Sequence, residues 1–251
     1  MELTISTFLI VCPLVFLAGF VDSVAGGGGL ISLPAYILAG VPIHGAVATN
    51  KLSSATGTLI STVRLCKNRF VDWGLALPCI SMALLGSFFG AHVALLASDR
   101  ILKIVLLPVL VIVAFYVLHK KSLDGNDTEI PRKKQWLICG ICSLVVGCYD
   151  GFYGPGTGTF LLLLYTGMGK MSVAKASGTM KIANLSSNMA ALVVFLVNGA
   201  VLLPLGLAAS VFSIAGHYLG AGMVMKNGSA IVRPIILVVL ALLFIKIIVG
   251  I

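Results

Sequence analysis

Asp22-Ser23-Val24-Ala25-Gly26-Gly27-Gly28-Gly29 and its echo Asp150-Gly151-Phe152-Tyr153-Gly154-Pro155-Gly156-Thr157-Gly158 decide how this chain folds. Each stretch lies between long apolar runs. Glycines clustered there break a helix at a depth where freed backbone N–H and C=O groups still need partners. Interrupted helices at corresponding positions of two halves are the strongest sequence pointer to a transport site, because opened helix ends present oriented backbone dipoles.

Working outward, the surroundings are those of a bilayer protein. The 251 residues are 59% hydrophobic and 10% charged, and the mean hydropathy of +1.11 lies far above the range of soluble domains. The first Lys or Arg is Lys51, so the N-terminus has no basic n-region and the first apolar run is expected to stay as a helix. Six cysteines sit mostly in apolar segments. Cys139-Gly140-Ile141-Cys142 has no second pair or His at ligand spacing, so they are read as small buried residues, with no metal or cofactor expected. The net charge of +9 reflects basic loops between spans rather than nucleic-acid binding.

The second half repeats the first at an offset of 128 residues around the breaks and 130 afterwards. Gly19, Asp22, Gly26 and Gly28 meet Gly147, Asp150, Gly154 and Gly156; Thr49 and Lys51 meet Thr179 and Lys181; Gly86 and Gly90 meet Gly216 and Gly220. Each half divides into five apolar pieces: 4–24, 28–40, 43–65, 74–98 and 101–119, then 136–152, 157–168, 172–197, 201–225 and 229–250. The second piece of each half, about 12 residues or ~20 Å long, is too short to cross ~30 Å of hydrocarbon and reads as short or re-entrant.

The expected fold is an all-α polytopic membrane protein of two inverted-topology repeats, with about eight full spans and two short helices. Residues 1–119 form the N-terminal repeat, 120–135 a cytoplasmic linker and 136–251 the C-terminal repeat. Inversion follows from the loops. Arg64, Lys67 and Arg69 face an uncharged Asn198-Gly199-Ala200 in the repeat, whereas the Pro42 loop, without Lys or Arg, faces Lys170 and Lys175. With Lys120, Lys121, Arg132, Lys133, Lys134, Lys226 and Arg233 also in the cytoplasm, only Arg100 and Lys103 fall in outer loops and both termini face out. Lys246 snorkels to the outer interface. Gly86-x-x-x-Gly90 and Gly216-x-x-x-Gly220 are read as close helix-packing stripes, and Trp73 as an interfacial anchor.

Four ionisable residues remain inside apolar surroundings: Asp22, Lys51, Asp150 and Lys181, with His44, His92 and His217 less firmly placed. Helical spacing puts Asn50, Ser53 and Ser54 on one side of their helix, and Lys181, Asn184 and Asn188 on one side of theirs. Two lysines, hydroxyls, amides and the backbone N–H groups at Gly27, Gly28, Gly156 and Thr157 suit a small oxyanion. The plainer alternative pairs Lys51 with Asp150 and Lys181 with Asp22 as two buried salt bridges that fix the breaks. Asp22 and Asp150 then either cap opened N–H groups or carry a coupling proton. His44 reads as a solvated outer-loop residue; His217 faces Ser87 across the repeat and has no symmetry mate. No G-x-G-x-x-G or G-x-x-x-x-G-K-[ST] occurs, so ATP-driven transport by this chain alone is not expected.

A first helix ending Gly19-Phe20-Val21-Asp22-Ser23-Val24-Ala25-Gly26-Gly27-Gly28-Gly29, then Ala48-Thr49-Asn50-Lys51 and Val71-Asp72-Trp73, resembles the sulfite exporter TauE/SafE family of permeases, within the 4-toluene sulfonate uptake permease superfamily. The second copy, from Gly147 to Gly158, is similar to that family as well, and the likeness spans roughly residues 10–250. It implies a non-enzymatic secondary transporter of sulfite or an organosulfonate in the bacterial inner membrane, with an exporter the first expectation. The partners implied are the anion and the lipid bilayer, with a homo-oligomer compatible. An anion channel with the same lining is the nearest competitor. An intramembrane aspartyl protease is the more distant one, because neither aspartate stands in Gly-x-Gly-Asp.

Overall fold

The computed structural model describes residues 3–98, 101, 130–227 and 234. Among these residues it is helical without strands: α1 (Ile5–Ala25), α2 (Gly29–Leu38), α3 (Ile43–Lys67), α4 (Trp73–Leu96), α5 (Arg132–Phe152), α6 (Thr157–Gly167), α7 (Val173–Val197) and α8 (Leu203–Asn227). The expected apolar pieces at 101–119 and 229–250, the linker through residue 129, and Arg100, Lys103, Lys120, Lys121, Arg233 and Lys246 lie outside the described residues. Helix α5 starts at Arg132, inside the stretch read as linker.

Five helices (α1, α4, α5, α7 and α8) are long and apolar enough to cross a membrane. Helix α3 has the length, at 25 residues, but carries the polar run from Thr49 to Thr58. Those polar side chains are turned inward: Thr49, Asn50, Lys51, Ser53 and Thr58 are buried, while Leu9, Leu77, Phe89, Val145 and Val211 lie on the surface. An apolar exterior around a partly polar interior is the pattern expected where the surrounding medium is lipid.

The helix ends follow local chemistry. Helix α1 stops where Gly26 turns left-handed (φ 75°) and returns its N–H to Asp22 O at 2.8 Å. Gly156, also left-handed (φ 84°), opens α6. The Asp72 carboxylate caps α4 by accepting from Leu75 N (3.3 Å). Arg132 on α5 pairs with the same carboxylate (Nη2–Oδ1 2.5 Å), and this hydrogen-bonded guanidinium holds the Asp72 carboxyl below its ordinary value. The stability it confers is therefore present above the usual carboxylate pKa and is lost as pH falls through the lowered one. Asp72→Ala is expected to cost about 1 kcal/mol at neutral pH, mostly from the cap, since the ion pair is half-exposed. Thermal unfolding in detergent at neutral and acidic pH checks this: the gap between wild type and variant narrows in acid.

Packing registers give the helix directions. Along α3 and α8, Thr49 meets Leu202, Gly57 meets Ser213 and His217, and Arg64 meets Gly222, so the two run parallel. Gly216 packs on Phe16 and Phe20, and Gly220 on Phe20 and Ser23, so α1 is parallel to α8 as well. Gly86 lies against Leu144 and Cys148, and Gly90 against Cys148 and Phe152, making α4 parallel to α5. His44, in the first turn of α3, donates from Nε2 to Ala97 O just past the end of α4 (3.0 Å), so α3 and α4 are antiparallel. Together these relations set α5 against α1. His44, expected in a solvated loop, is instead half-buried within a helix, because α3 begins at Ile43.

Lys51 meets Asn188 and Thr62 meets Lys181, so α7 is antiparallel to α3 and parallel to α5. Since α1 and α3 also run the same way, the ten-residue α2 has to turn back between α1 and α3, and α6 does the same between α5 and α7. The two breaks meet: Thr159 donates from its N–H to Gly26 O (3.2 Å) and from Oγ1 to Ala25 O (2.7 Å).

Candidate functional site

Two buried ion pairs flank the junction of the breaks, each joining the two halves of the sequence. Lys51 on α3 places Nζ 2.8 Å from Asp150 Oδ2 in the last turn of α5. Lys181 on α7 places Nζ 2.6 Å from Asp22 Oδ2 in the last turn of α1 and also donates to Asp22 O, the carbonyl that receives Gly26 N–H. Both lysines are essentially inaccessible. The two cations thus each meet a carboxylate, one of the arrangements that makes a buried charge tolerable.

The carboxylates also tie down the opened backbone. Asp22 Oδ1 accepts from Gly28 N (3.2 Å) across the first break. In the second, Asp150 Oδ1 accepts from Thr157 Oγ1 (2.7 Å) at the start of α6, and Oδ2 accepts from Ser187 Oγ (2.6 Å) on α7. Asp22 thus accepts from one opened backbone N–H, whereas Asp150 accepts from two side-chain hydroxyls.

Between the pairs lies a polar cavity of about 20 Å³, room for roughly one water-sized species. Its wall contains Asn50, Lys51 and Ser54 from α3, Asn184 and Asn188 from α7, Asp22, Asp150 and Thr157, with Gly26, Gly29 and Gly154 at the breaks. Two of the three Lys51 N–H groups are accounted for by Asp150 and by Asn188 Oδ1 (3.1 Å). Asn188 in turn donates to Asn184 Oδ1 (3.1 Å) and Asn184 O (2.9 Å). Asn50 Oδ1 is buried in this wall with no hydrogen-bond partner. The wall carries one ammonium and two carboxylates, and the orphaned Asn50 oxygen beside them is an acceptor left open to an entering donor or to rotation of its own amide.

Most of the side chains read from the sequence converge here, but not all. Lys181 lies behind Asp22 rather than on the cavity wall. Ser53 hydrogen bonds to Tyr36 Oη (3.0 Å) and Asn50 O (3.1 Å), holding α2 against α3. Gly27, Gly28 and Gly156 shape the breaks without lining the cavity. His217 was underweighted by sequence. It is buried on α8 with Nε2 3.1 Å from Asp22 Oδ2, in space kept open by Gly19 and Gly57, where a Cβ would fall within 2.8 and 2.3 Å of His217 Nδ1. A lone histidine in an apolar helix was the available signal.

Among the described residues no cluster of His, Cys, Asp and Glu is arranged to hold a metal, and the six cysteines are free thiols.

Comparison with known proteins places the chain among membrane transporters. The chain is 34% identical to "Probable membrane transporter protein ORF9" of a Sinorhizobium species over 89% of its own length and 85% of the relative's. It is 34% identical to "Probable membrane transporter protein YfcA" of Escherichia coli K12, over 92% and 85%, and 32% identical to a "Probable membrane transporter protein" of Haemophilus influenzae, over 95% and 93%. No solved structure matches. The family described as Sulfite exporter TauE/SafE matches residues 11–247, nearly the whole chain. With relatives that share most of its length and a family match almost from end to end, the chain is a membrane transporter and belongs to the sulfite exporter TauE/SafE family.

Proposed function

We propose that this chain is a secondary transporter that exports a small sulfur-containing anion, sulfite or an organosulfonate, by alternating access between two inverted repeats. The observation that carries the reading is the polar cavity between the two cross-half ion pairs, with the Lys51 ammonium in its wall beside the Asn50 amide, whose orientation no partner at Oδ1 fixes. An oxyanion there would take the remaining Lys51 N–H and the Asn50 amide, its Nδ2 turned inward, together with Ser54 and Asn184. Lys181 and the backbone N–H groups at Gly27, Gly28, Gly156 and Thr157 would act when the breaks move. The cavity fits about one water as it stands, which supports a carrier that must open to admit the anion over a standing channel. The sulfur chemistry and the outward direction rest on the family's description.

Inversion is supported by reciprocity. Thr179 Oγ1 accepts from Asp72 N (3.3 Å) as Thr49 Oγ1 accepts from Leu202 N (3.0 Å), and Lys51–Asp150 matches Lys181–Asp22. Such exchange of equivalent partners is what a two-fold relation produces. The left-handed residues repeat it: Gly40 (φ 81°) corresponds to Lys170 (φ 52°), and Arg69 (φ 61°) to Gly199 (φ 66°). Glycine stands at one end of the bundle and a strained basic residue at the other, a strain of about 1–2 kcal/mol tolerated where positive charge orients the protein. Arg64, Lys67, Arg69, Arg132, Lys133, Lys134, Lys170, Lys175 and Lys226 all occupy that one end, which we assign to the cytoplasm of a bacterial inner membrane, with both termini periplasmic.

Radiolabelled sulfite counterflow in proteoliposomes tests the reading. Saturable counterflow is expected in wild type. Asn50→Ala is expected to lower it about 10- to 100-fold, the loss of one hydrogen bond to a charged group. Absence of saturable counterflow with sulfite and organosulfonates, or a wild-type rate in the variant, would refute it.

A further inference from the structure

The two ion pairs occupy equivalent places but are not equivalent in chemistry. Around Asp150 the additional partners are the hydroxyls of Ser187 and Thr157. Around Asp22 the position of Ser187 is taken by Gly57, and the space left is filled by His217, which itself stands where the other half has Ser87. One pair is surrounded by neutral donors and the other by an ionisable ring.

Hydrogen-bond bookkeeping fixes what that ring can do. Nδ1 lies 2.9 Å from Ser213 O and 3.3 Å from Ser213 Oγ, and the shorter contact, to an acceptor without a proton, is satisfied by the tautomer in which Nδ1–H donates. Nε2 then faces Asp22 Oδ2, 3.1 Å away. With Nδ1 protonated and Asp22 ionised, a neutral ring would set a lone pair against a carboxylate oxygen. In that tautomer the contact needs one more proton, held on Nε2 or on Oδ2. The charged and titratable groups around it are Asp22 from α1 and Lys181 from α7, the latter on the same carboxylate oxygen. Helix α3 contributes the neutral Thr58, whose Oγ1 is 3.4 Å from Nε2, and α8 contributes Ser213.

From this asymmetry we propose that His217 and Asp22 form the site of a coupling proton, so that transport is proton-linked, with the Asp22–Lys181 pair handling the proton and the Lys51–Asp150 pair handling the substrate. The proposal rests on the transporter reading above. Loss of the shared proton leaves two acceptors facing each other within the α1–α8 contact, where Gly19, Gly216 and Gly220 hold the backbones close. That contact then has to loosen. Proton occupancy is thereby tied to the separation of an N-terminal-half helix from a C-terminal-half helix, the movement alternating access requires.

Two arms test this. In the first, without substrate, spin labels on the exposed Leu17 of α1 and Leu219 of α8 report the interhelix distance by pulsed electron resonance as pH is raised from about 5 to about 9. The distance distribution is expected to change with pH in wild type, and His217→Gln is expected to abolish the change. A pH-independent wild type, or a variant that responds as wild type does, overturns the proposal. In the second arm, proteoliposomes carry out radiolabelled sulfite counterflow and accumulation driven by a pH gradient. The ratio of accumulation to counterflow is expected to fall at least about tenfold in His217→Gln; a parallel fall of both marks a merely structural histidine and overturns it. If wild type moves no sulfite at all, the substrate assignment fails, and the label arm still decides the proton site.

Discussion

Replacing Lys51 by Met is expected to destabilise the protein by about 3–5 kcal/mol, because it leaves the Asp150 carboxylate buried without its cation. Ser187 and Thr157 can donate to that carboxylate but cannot neutralise it. Removing both charges together, Lys51→Met with Asp150→Leu, is expected to recover most of the loss, since a buried pair is worth little against apolar side chains of similar volume. Denaturant or thermal unfolding in detergent gives the cycle. Under the proposed function the double variant is nonetheless inactive in counterflow, because Lys51 is also the cation of the cavity. Recovery of stability without recovery of transport separates the two roles; a fully active double variant would leave Lys51 purely structural.

Gly26→Ala should be comparably severe. A Cβ there would lie 2.3 Å from the Gly158 carbonyl carbon and 2.6 Å from Thr159 N, both backbone atoms that no rotamer change can move. Gly26 is also left-handed, at φ 75°, which adds about 1–2 kcal/mol for a residue with a side chain. With about 1–3 kcal/mol for overpacking, the total is about 2–5 kcal/mol. Because the strain falls on the hydrogen bonds from Thr159 to Ala25 and Gly26, separation of the two breaks is the expected structural response. Thermal unfolding checks the magnitude. Gly199→Ala is the control: it too is left-handed (φ 66°), but a Cβ there meets nothing within 4 Å, so it should show the conformational cost alone.

Much of this architecture was legible in the sequence, for identifiable reasons. Glycine runs and the Pro42 loop punctuate apolar runs, so the eight described helices fall within a few residues of the expected pieces. The largest boundary shift is at α5, whose first turn is made of Arg132, Lys133 and Lys134; charge there reads as linker, yet a helix end at an interface accommodates basic residues well. The buried charges were legible because Asp22, Lys51, Asp150 and Lys181 are anomalies in apolar surroundings, and the repeat itself suggested which lysine meets which aspartate. What local pattern could not supply is three-dimensional. Lys181 sits behind its aspartate and Ser53 turns toward Tyr36, outcomes set by how α7 and α2 cross their neighbours. His217 reaches Asp22 across 195 positions of sequence only because Gly19 and Gly57 vacate the space between. No periodicity encodes that contact.

The central claim is that the cavity between the two ion pairs is a substrate site opened to one side at a time. Its most direct test is Ser54→Cys, with the six native cysteines replaced, labelled by a membrane-impermeant thiol reagent from each side of oriented membranes, with and without sulfite. The expected result is labelling from either side in separate experiments, slowed by sulfite in both and abolished on one side when the protein is locked facing the other. Labelling from only one side whatever the condition, or from both sides of a locked protein with no protection by sulfite or an organosulfonate, would contradict it.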